Sequence, residues 1–319
     1  SSASDIELAF DERSKAEAMS ARFKTEHYEM VLKAGDMERC LPKMSWHLEE
    51  PRVGQSYPNF YVAKLASKFV KVVLSGSGGD EIFGGYPWRY YRTATSQNFD
   101  HFIDEYYLYW QRLVNNTELR EMFGPVQGAV SDVWTRDIFS AVFATHDNLL
   151  ERPEDYINHS LYFEAKTFLQ GLFLVEDKLS MAHSLETRVP FMDNDLVDFA
   201  MQCPVDLKLN NLSEVLNINE NNSEIKHKYF KKTNDGKQIL REMMARYIPN
   251  DITSAEKQGF SSPDASWFKG ESIEFVKQIL FTSNARIYEV LDYDKVLSMI
   301  EQHLRGEKNR RLLIWSLLN

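Results

Sequence analysis

In VKVVLSGSGGDEIFGGY, residues 70 to 86, a short β-branched run meets an abrupt glycine turn. Val70, Val72, Val73 and Leu74 read as a buried strand, and Ser75-Gly76-Ser77-Gly78-Gly79 as the turn that ends it. The acidic pair Asp80-Glu81 follows at once, and then a second glycine pair, Gly84-Gly85. A strand that ends in such a turn brings backbone N–H groups close to phosphates. Carboxylates on the same turn suit a magnesium ion held between protein and nucleotide. A plain strand-to-helix connection with an acidic helix start fits the same letters, so this stretch alone leaves both readings open.

Working outward, residues 58 to 69 read as a helix leading into the strand at 70 to 74. Residues 12 to 23 are rich in helix formers, with Ala16, Met19 and Phe23 on one face. His27 to Leu32 reads as a further short strand, and Glu49-Glu50-Pro51 closes a helical stretch, because proline stops a helix at or before the preceding residue. Helix–strand alternation of this kind predicts an α/β fold, a parallel sheet flanked by helices. Beyond Tyr86 the character changes. Residues 99 to 203 carry long aromatic and leucine-rich helical stretches with few strand signals. The stripe Tyr106, Tyr107, Trp110 and Leu113 is expected in the core. Residues 209 to 236, rich in Asn, Lys and Glu, read as a mobile surface excursion. RRLLIWSLL supplies a final helix, and no internal repeat is present.

The chain has 319 residues, 43% of them apolar, enough for a sizeable core in one large domain or two smaller ones. Its 37 basic and 47 acidic residues leave a net charge of −10, which argues against a nucleic-acid surface. Binding ATP needs only a few local cations and N–H donors, so the charge does not argue against a nucleotide. Cys40 and Cys203 stand in unrelated contexts without CxxC spacing and read as idle thiols of a reducing cytoplasm. No apolar run approaches the ~18 residues of a membrane span. The opening Ser1-Ser2-Ala3-Ser4-Asp5 leads straight into what reads as the middle of a fold, so the chain is expected to be a fragment.

Two further stretches carry chemistry. Asp177 to Asp193 (DKLSMAHSLETRVPFMD) sets Glu186, Arg188 and Asp193 among apolar residues in a region that otherwise reads as helical core, with Pro190 fixing the chain as it leaves the helix. Charges enter such a region only when paired or facing a cleft. A buried ion pair of Arg188 with Glu186 or Asp177 and a role in a site are equally compatible with the pattern. Lys257-Gln258-Gly259-Phe260-Ser261-Ser262-Pro263 places a lysine in a glycine-containing loop, where it can meet a phosphate as a point charge.

Together the three stretches resemble the synthetase domain of the glutamine-hydrolysing asparagine synthetase family. Ser75 to Tyr86 matches its S-G-x-G-G-D-E-x-F-G-G-Y, Ser180 to Asp193 its S-M-A-x-S-x-E-x-R-V-P-F-x-D, and Lys257 to Pro263 its K-x-G-F-x-x-P. Weaker matches at Asp11-Glu12, Thr25 to Glu29, Glu50-Pro51 and Asn309-Arg310-Arg311 with Trp315 extend the likeness over nearly the whole chain, in the family's order.

The resemblance implies an adenine nucleotide alpha hydrolase-like fold of the pyrophosphate-loop ATPase type. Residues 1–92 would form part of the nucleotide-binding α/β portion, and 93–319 a mainly helical portion closing the site. It implies ATP and Mg2+ as cofactors, aspartate as the acceptor, and ammonia delivered by a glutaminase domain. The aspartate carboxylate becomes a β-aspartyl-AMP, which ammonia converts to asparagine. Ser75, Gly76, Ser77, Gly78 and Glu81 then belong to the nucleotide turn, and Asp80 is a magnesium ligand. Lys257 neutralises the α-phosphate and the leaving pyrophosphate, while Glu186 and Arg188 lie near the acyl acceptor. The family often forms dimers, so a homodimer is among the assemblies implied.

Four departures stand out. The family's pyrophosphate loop, S-G-G-x-D-S, occurs nowhere in these residues and is expected upstream of Ser1. The glutaminase domain with its N-terminal cysteine nucleophile is not matched either, so the chain alone is expected to be inactive. Ser77 stands where the family usually has Asp or Glu. Ala255 replaces an arginine two residues before the lysine, removing a cation near the phosphates. Ser77 and Ala255 favour a second reading, an amidotransferase acting on another carboxylate, such as a uronic acid or a polysaccharide or natural-product acid. The unmatched pyrophosphate loop keeps a third in view, a non-catalytic nucleotide-binding relative.

Overall fold

A computed structural model describes residues 13–52, 56–146, 150–216, 235–255 and 272–319. Its longer elements, in chain order, are α1 (Arg13–Phe23), α2 (Ala34–Leu48), α3 (Tyr57–Ala66), β1 (Val72–Leu74), α4 (Phe99–Trp110), α5 (Pro153–Phe163), α6 (Gln170–Met181), β2 (Glu186–Arg188), α7 (Asn194–Gln202), α8 (Gln238–Met244), α9 (Ile273–Leu280), α10 (Tyr293–Leu304) and α11 (Arg311–Leu318). It is a helix-rich α/β arrangement around a small parallel sheet.

The sheet pairs β1 with β2 in parallel, with Val72 opposite Glu186, Val73 opposite Thr187 and Leu74 opposite Arg188. Side chains alternate along strands, so Val72, Leu74, Glu186 and Arg188 share one face and Val73 and Thr187 the other. The expectation of a buried strand is corrected on the first face, where Val72 is 43% and Leu74 73% exposed. A second correction concerns β2, which falls in a stretch that reads as helix. Helix α6 stops at Met181, Ser184 turns the chain at φ 55°, and β-branched Thr187 and Val189 then favour extended backbone. Pro190 opens a 3₁₀ turn, Pro190–Met192, and Asp193 accepts the Asp195 and Leu196 N–H groups at the start of α7.

At the other end of the chain, His27 to Leu32 is not a strand. It runs as an irregular, mostly exposed segment, with Tyr28 stacked on Phe69 at a centroid distance of 4.1 Å. Helix α1 forms as its composition predicts, but it buries none of its residues, Phe23 included.

The main core joins the two ends of the described chain. Met37, Leu41, Met44 and Leu48 recur at helical spacing along α2 and are almost fully buried against Tyr57, Val276, Val296, Ile300, Ile314 and Trp315. Helix α2 ends as the Glu49-Glu50-Pro51 signal predicts, with Glu49 in the left-handed region. An aromatic cluster under α4 buries Phe102, Tyr106, Tyr107, Phe139, Phe143 and Phe163. It absorbs the first half of the expected stripe, while Trp110 and Leu113 are only half-buried.

Between α5 and α6 the helix widens into a π segment, Glu164–Leu169. The surface excursion at 209–236 lies partly outside the described residues, but its ends are anchored. Leu209 and Leu212 are buried, and the Asp235 carboxylate accepts from the Tyr91 hydroxyl and from the Asn210 and Asn211 N–H groups. Both cysteines are free and buried, and burial pushes the Cys40 thiol up to about 12. Among the described residues no helix is long and apolar enough to cross a membrane.

Candidate active site

The two longest sequence signatures meet through adjacent strands, β1 leading into the first and β2 lying within the second. Ser75 N–H donates to the Arg188 carbonyl at 2.8 Å, one step past the β1–β2 ladder, and Glu186 N–H donates to the Lys71 carbonyl at 2.9 Å. The glycine turn therefore leaves the carboxyl end of β1 beside the carboxyl end of β2, the position at which open α/β sheets bind ligands.

Within the turn, Ser77 N–H donates to Ser75 Oγ at 3.2 Å, and the two hydroxyls lie 3.0 Å apart. The Ser77 hydroxyl donates to Glu176 Oε2 of α6 at 2.7 Å. Gly78 has φ +98°, and a Cβ there would come within 2.5 Å of Met192 Cε and 3.6 Å of Phe173 Cζ. On Gly79 a Cβ would crowd the Phe191 ring at 3.1 Å. These two glycines let the turn close onto the Phe191-Met192 end of the second signature. Gly76 is different: a Cβ there meets nothing within 4 Å, so its backbone lies open on one side.

The acidic pair diverges. Asp80 Oδ1 lies 2.7 Å from Lys237 Nζ, with both side chains largely covered. A Cβ on Gly85 would collide with the Asp80 carboxylate, and one on Gly236 with the Gly84 carbonyl, so Gly85 admits the Asp80 side chain and Gly236 admits the Lys237 segment. Lys237 is itself left-handed at φ 61°, with its N–H on the Phe83 carbonyl at 3.1 Å. Glu81 turns inward, 2% exposed, and accepts from the Tyr86 hydroxyl at 3.1 Å; burial raises its carboxyl above the usual range. The turn thus presents one carboxylate, Asp80, in a position to meet a cation. That fits magnesium, which keeps several waters and takes one or two protein carboxylates plus phosphate oxygens. Among the described residues no group of three acids, histidines or cysteines surrounds it.

Beneath Glu81 lies a buried ionic cluster with no counterpart among the sequence expectations. Arg89 Nη1 donates to Glu164 Oε2 at 3.0 Å, and the hydroxyls of Tyr90 and Tyr106 donate to the same carboxylate at 3.2 and 2.8 Å. The Arg89 guanidinium stacks over Tyr86 at 3.8 Å and Phe168 at 4.6 Å. Burial of Glu164, only partly offset by Arg89, pushes its carboxyl up to about 7. Glu164 is also the first residue of the π segment, a distortion that recurs at functional sites.

Glu186 and Arg188 do pair, Oε1 to Nε at 2.9 Å, but the pair is solvent-exposed rather than buried. Lys178 turns elsewhere, donating to the Leu48 carbonyl at 2.7 Å and to Glu49 at 3.0 Å. Lys257 lies outside the described residues. The chain approaching it is held by Arg241, whose guanidinium donates to the carbonyls of Gly236 (2.8 Å), Ala255 (3.1 Å) and Thr253.

Comparison with known proteins then decides the family. The profile described as asparagine synthase matches residues 3–319. The chain belongs to the asparagine synthase family. It is 25% identical over 341 residues to asparagine synthetase [glutamine-hydrolyzing] 1 of Bacillus subtilis, covering 97% of this chain and 49% of that protein. It is 28% identical over 351 residues to a putative asparagine synthetase of Mycobacterium tuberculosis, covering 99% of this chain and 47% of the relative. A more distant match, 20% identical over 263 residues and covering 70% of this chain and 37% of the relative, is the amidase chry2 of Gibberella zeae. The chain spans about half the length of the curated asparagine synthetases it matches.

Within the asparagine synthase family this member's two departures now have surroundings. Ser77 is joined to an acid, Glu176, on helix α6. Ala255 lacks the arginine side chain, but its carbonyl carries the guanidinium of Arg241. Glu176 follows the apolar run Leu172 to Val175 and opens the charged triplet Glu176-Asp177-Lys178, so nothing local singles it out, and the same holds for Lys237 and Arg241.

Proposed function

We propose that this chain is the synthetase portion of an ATP-dependent amide-forming enzyme. It adenylates the aspartate side-chain carboxylate with release of pyrophosphate, and ammonia derived from glutamine displaces AMP to give asparagine. The observation that carries this reading is the Ser75-to-Arg188 backbone bond, which joins the nucleotide turn to the Glu186–Arg188 strand. Family membership supports the reaction class, and the fold reading that goes with it is the adenine nucleotide alpha hydrolase type. Residues 1–92 then contribute to the nucleotide portion and 93–319 to the helical portion.

On this reading Ser75, Gly76 and Gly78 receive the adenylate side of ATP through backbone N–H groups and the open face at Gly76. Asp80 would hold Mg2+, and the ion would supply charge screening between the attacking carboxylate and the phosphates. Lys237 fixes the Asp80 carboxylate, while Lys257 meets the α-phosphate and pyrophosphate. Glu186 and Arg188 stand at the acceptor end, where the exposed guanidinium can pair with a carboxylate. The reading puts the enzyme in the cytoplasm, which suits two free buried thiols.

The test is turnover of the intact gene product with ATP, Mg2+, aspartate and amide-labelled glutamine. Labelled asparagine and AMP in equal amounts are expected; ATP consumption without asparagine would overturn the aspartate reading. A second reading keeps the chemistry and changes the acceptor to another carboxylate. Ser77 favours it, because the turn has a neutral hydroxyl where the family usually carries an acid. Offering uronic and other organic acids in the same assay separates the two.

A further inference from the structure

We infer that Glu176 is the proton acceptor for the amine half of the reaction, acting through Ser77 as the end of a hydroxyl relay. The inference rests on the amide-forming reading and adds a residue to it.

The hydrogen-bond directions follow from the contacts. Ser77 has one hydroxyl proton, and it is donated to Glu176 Oε2 at 2.7 Å. The Ser75 hydroxyl, 3.0 Å away, must then donate to Ser77 Oγ, while Ser75 Oγ accepts the Ser77 N–H at 3.2 Å. Ser77 Oγ is left with one lone pair for an outside N–H donor, in a chain that ends on a carboxylate. Each member polarises the next, which strengthens acceptance at that lone pair.

Glu176 and Ser77 are 99 positions apart in sequence, so their contact belongs to the fold rather than to a local turn. Helix α6 aims two side chains at the glycine turn, Phe173 at Gly78 and Glu176 at Ser77, one helical step of three apart and thus on one face. Among the described residues no cation lies within 4.0 Å of the Glu176 carboxylate; its described partner is the Ser77 hydroxyl. The turn position that usually bears an acid in the family bears Ser77 here, and the acid arrives from the neighbouring helix.

The step balances. The ammonia lone pair forms the C–N bond to the activated carbonyl carbon, and the carbonyl π electrons move onto oxygen. A proton of the new ammonium passes to Ser77 Oγ as the Ser77 proton passes to Glu176. The oxygen lone pair then re-forms the carbonyl, and the C–O bond to AMP breaks with its electrons leaving on AMP. Glu176 finally returns its proton to solvent.

The experiment uses the intact gene product with ammonium as nitrogen source. It measures carboxylate-dependent ATP–pyrophosphate exchange and amide formation separately, for wild type, Glu176→Gln and Ser77→Glu/Glu176→Gln. In Glu176→Gln, amide formation is expected to fall ~100-fold through kcat, the size typical of a lost general base. Exchange should fall less than about fivefold in the same variant, because the first half-reaction releases no amine proton. The double variant, which returns an acid to the turn, should recover amide formation at least about tenfold. If Glu176→Gln forms amide at the wild-type rate, or loses exchange and amide formation in parallel, the inference is overturned and the amide-forming reading stands. If wild type gives neither exchange nor amide with any carboxylate, both fall.

Discussion

Lys237 Nζ lies 2.7 Å from Asp80 Oδ1 and holds that carboxylate of the glycine turn in place. The lysine reaches it from a left-handed residue, φ 61°, on a segment that packs backbone to backbone against Gly84 and Gly85. Solvent still reaches both side chains, 26% and 18% exposed, so the pair is worth less than the about 3–5 kcal/mol lost when a fully buried pair is broken. Asp80→Asn and Lys237→Met should each cost about 1–2 kcal/mol, and the double variant less than their sum by a similar amount. Urea unfolding of the four proteins checks this; strictly additive losses would mean the contact contributes nothing.

The two glycines that flank Ser77 should behave differently. Gly78→Ala puts a Cβ on a left-handed residue and against Met192, and should cost about 1–3 kcal/mol. Gly76→Ala meets nothing within 4 Å, and should leave stability within about 0.5 kcal/mol. Its effect belongs on nucleotide affinity, since the methyl would occupy the open face of the turn. Denaturant midpoints and ATP titrations of both variants separate packing from binding.

Glu164 makes a pH prediction. Burial holds its carboxyl up to about 7, above the 4.5 of an unfolded glutamate, so the folded state keeps a proton that the unfolded chain has released. Its contribution to stability is present in full below about pH 4.5 and is lost as pH rises to about 7. Glu164→Gln cannot titrate. The wild-type-minus-variant difference in unfolding free energy should therefore decline across that window and flatten above it. A difference that does not change with pH would contradict a protonated, buried Glu164.

How far the sequence carried the reading depends on whether the cause was local. The Val72–Leu74 strand, the glycine turn, the stop at Pro51 and the closing helix follow from short-range chemistry: β-branched residues, glycines and a proline that act within a few positions. Strand β2 did not, because Glu186-Thr187-Arg188 looks like a charged helix exit and becomes a strand only by pairing with β1. His27 to Leu32 failed in the opposite sense: its pattern suits a strand, but no described strand pairs with it. Glu176, Glu164 and Lys237 were hidden for one shared reason. Each takes its role from a partner far along the chain, at Ser77, Arg89 and Asp80, and a single sequence does not display such pairings. A glutamate inside the aromatic run Tyr162-Phe163-Glu164 was the nearest thing to a local signal.

The central claim is that the joined turn and strand belong to a site that attaches a carboxylate to the adenylate of ATP. The most direct measurement follows oxygen-18 from the acceptor's side-chain carboxylate in the intact gene product with ATP, Mg2+ and ammonium. Adenylation and aminolysis transfer one labelled oxygen to AMP. Label appearing in inorganic phosphate with ADP formed, or amide produced with unlabelled AMP, would contradict the account.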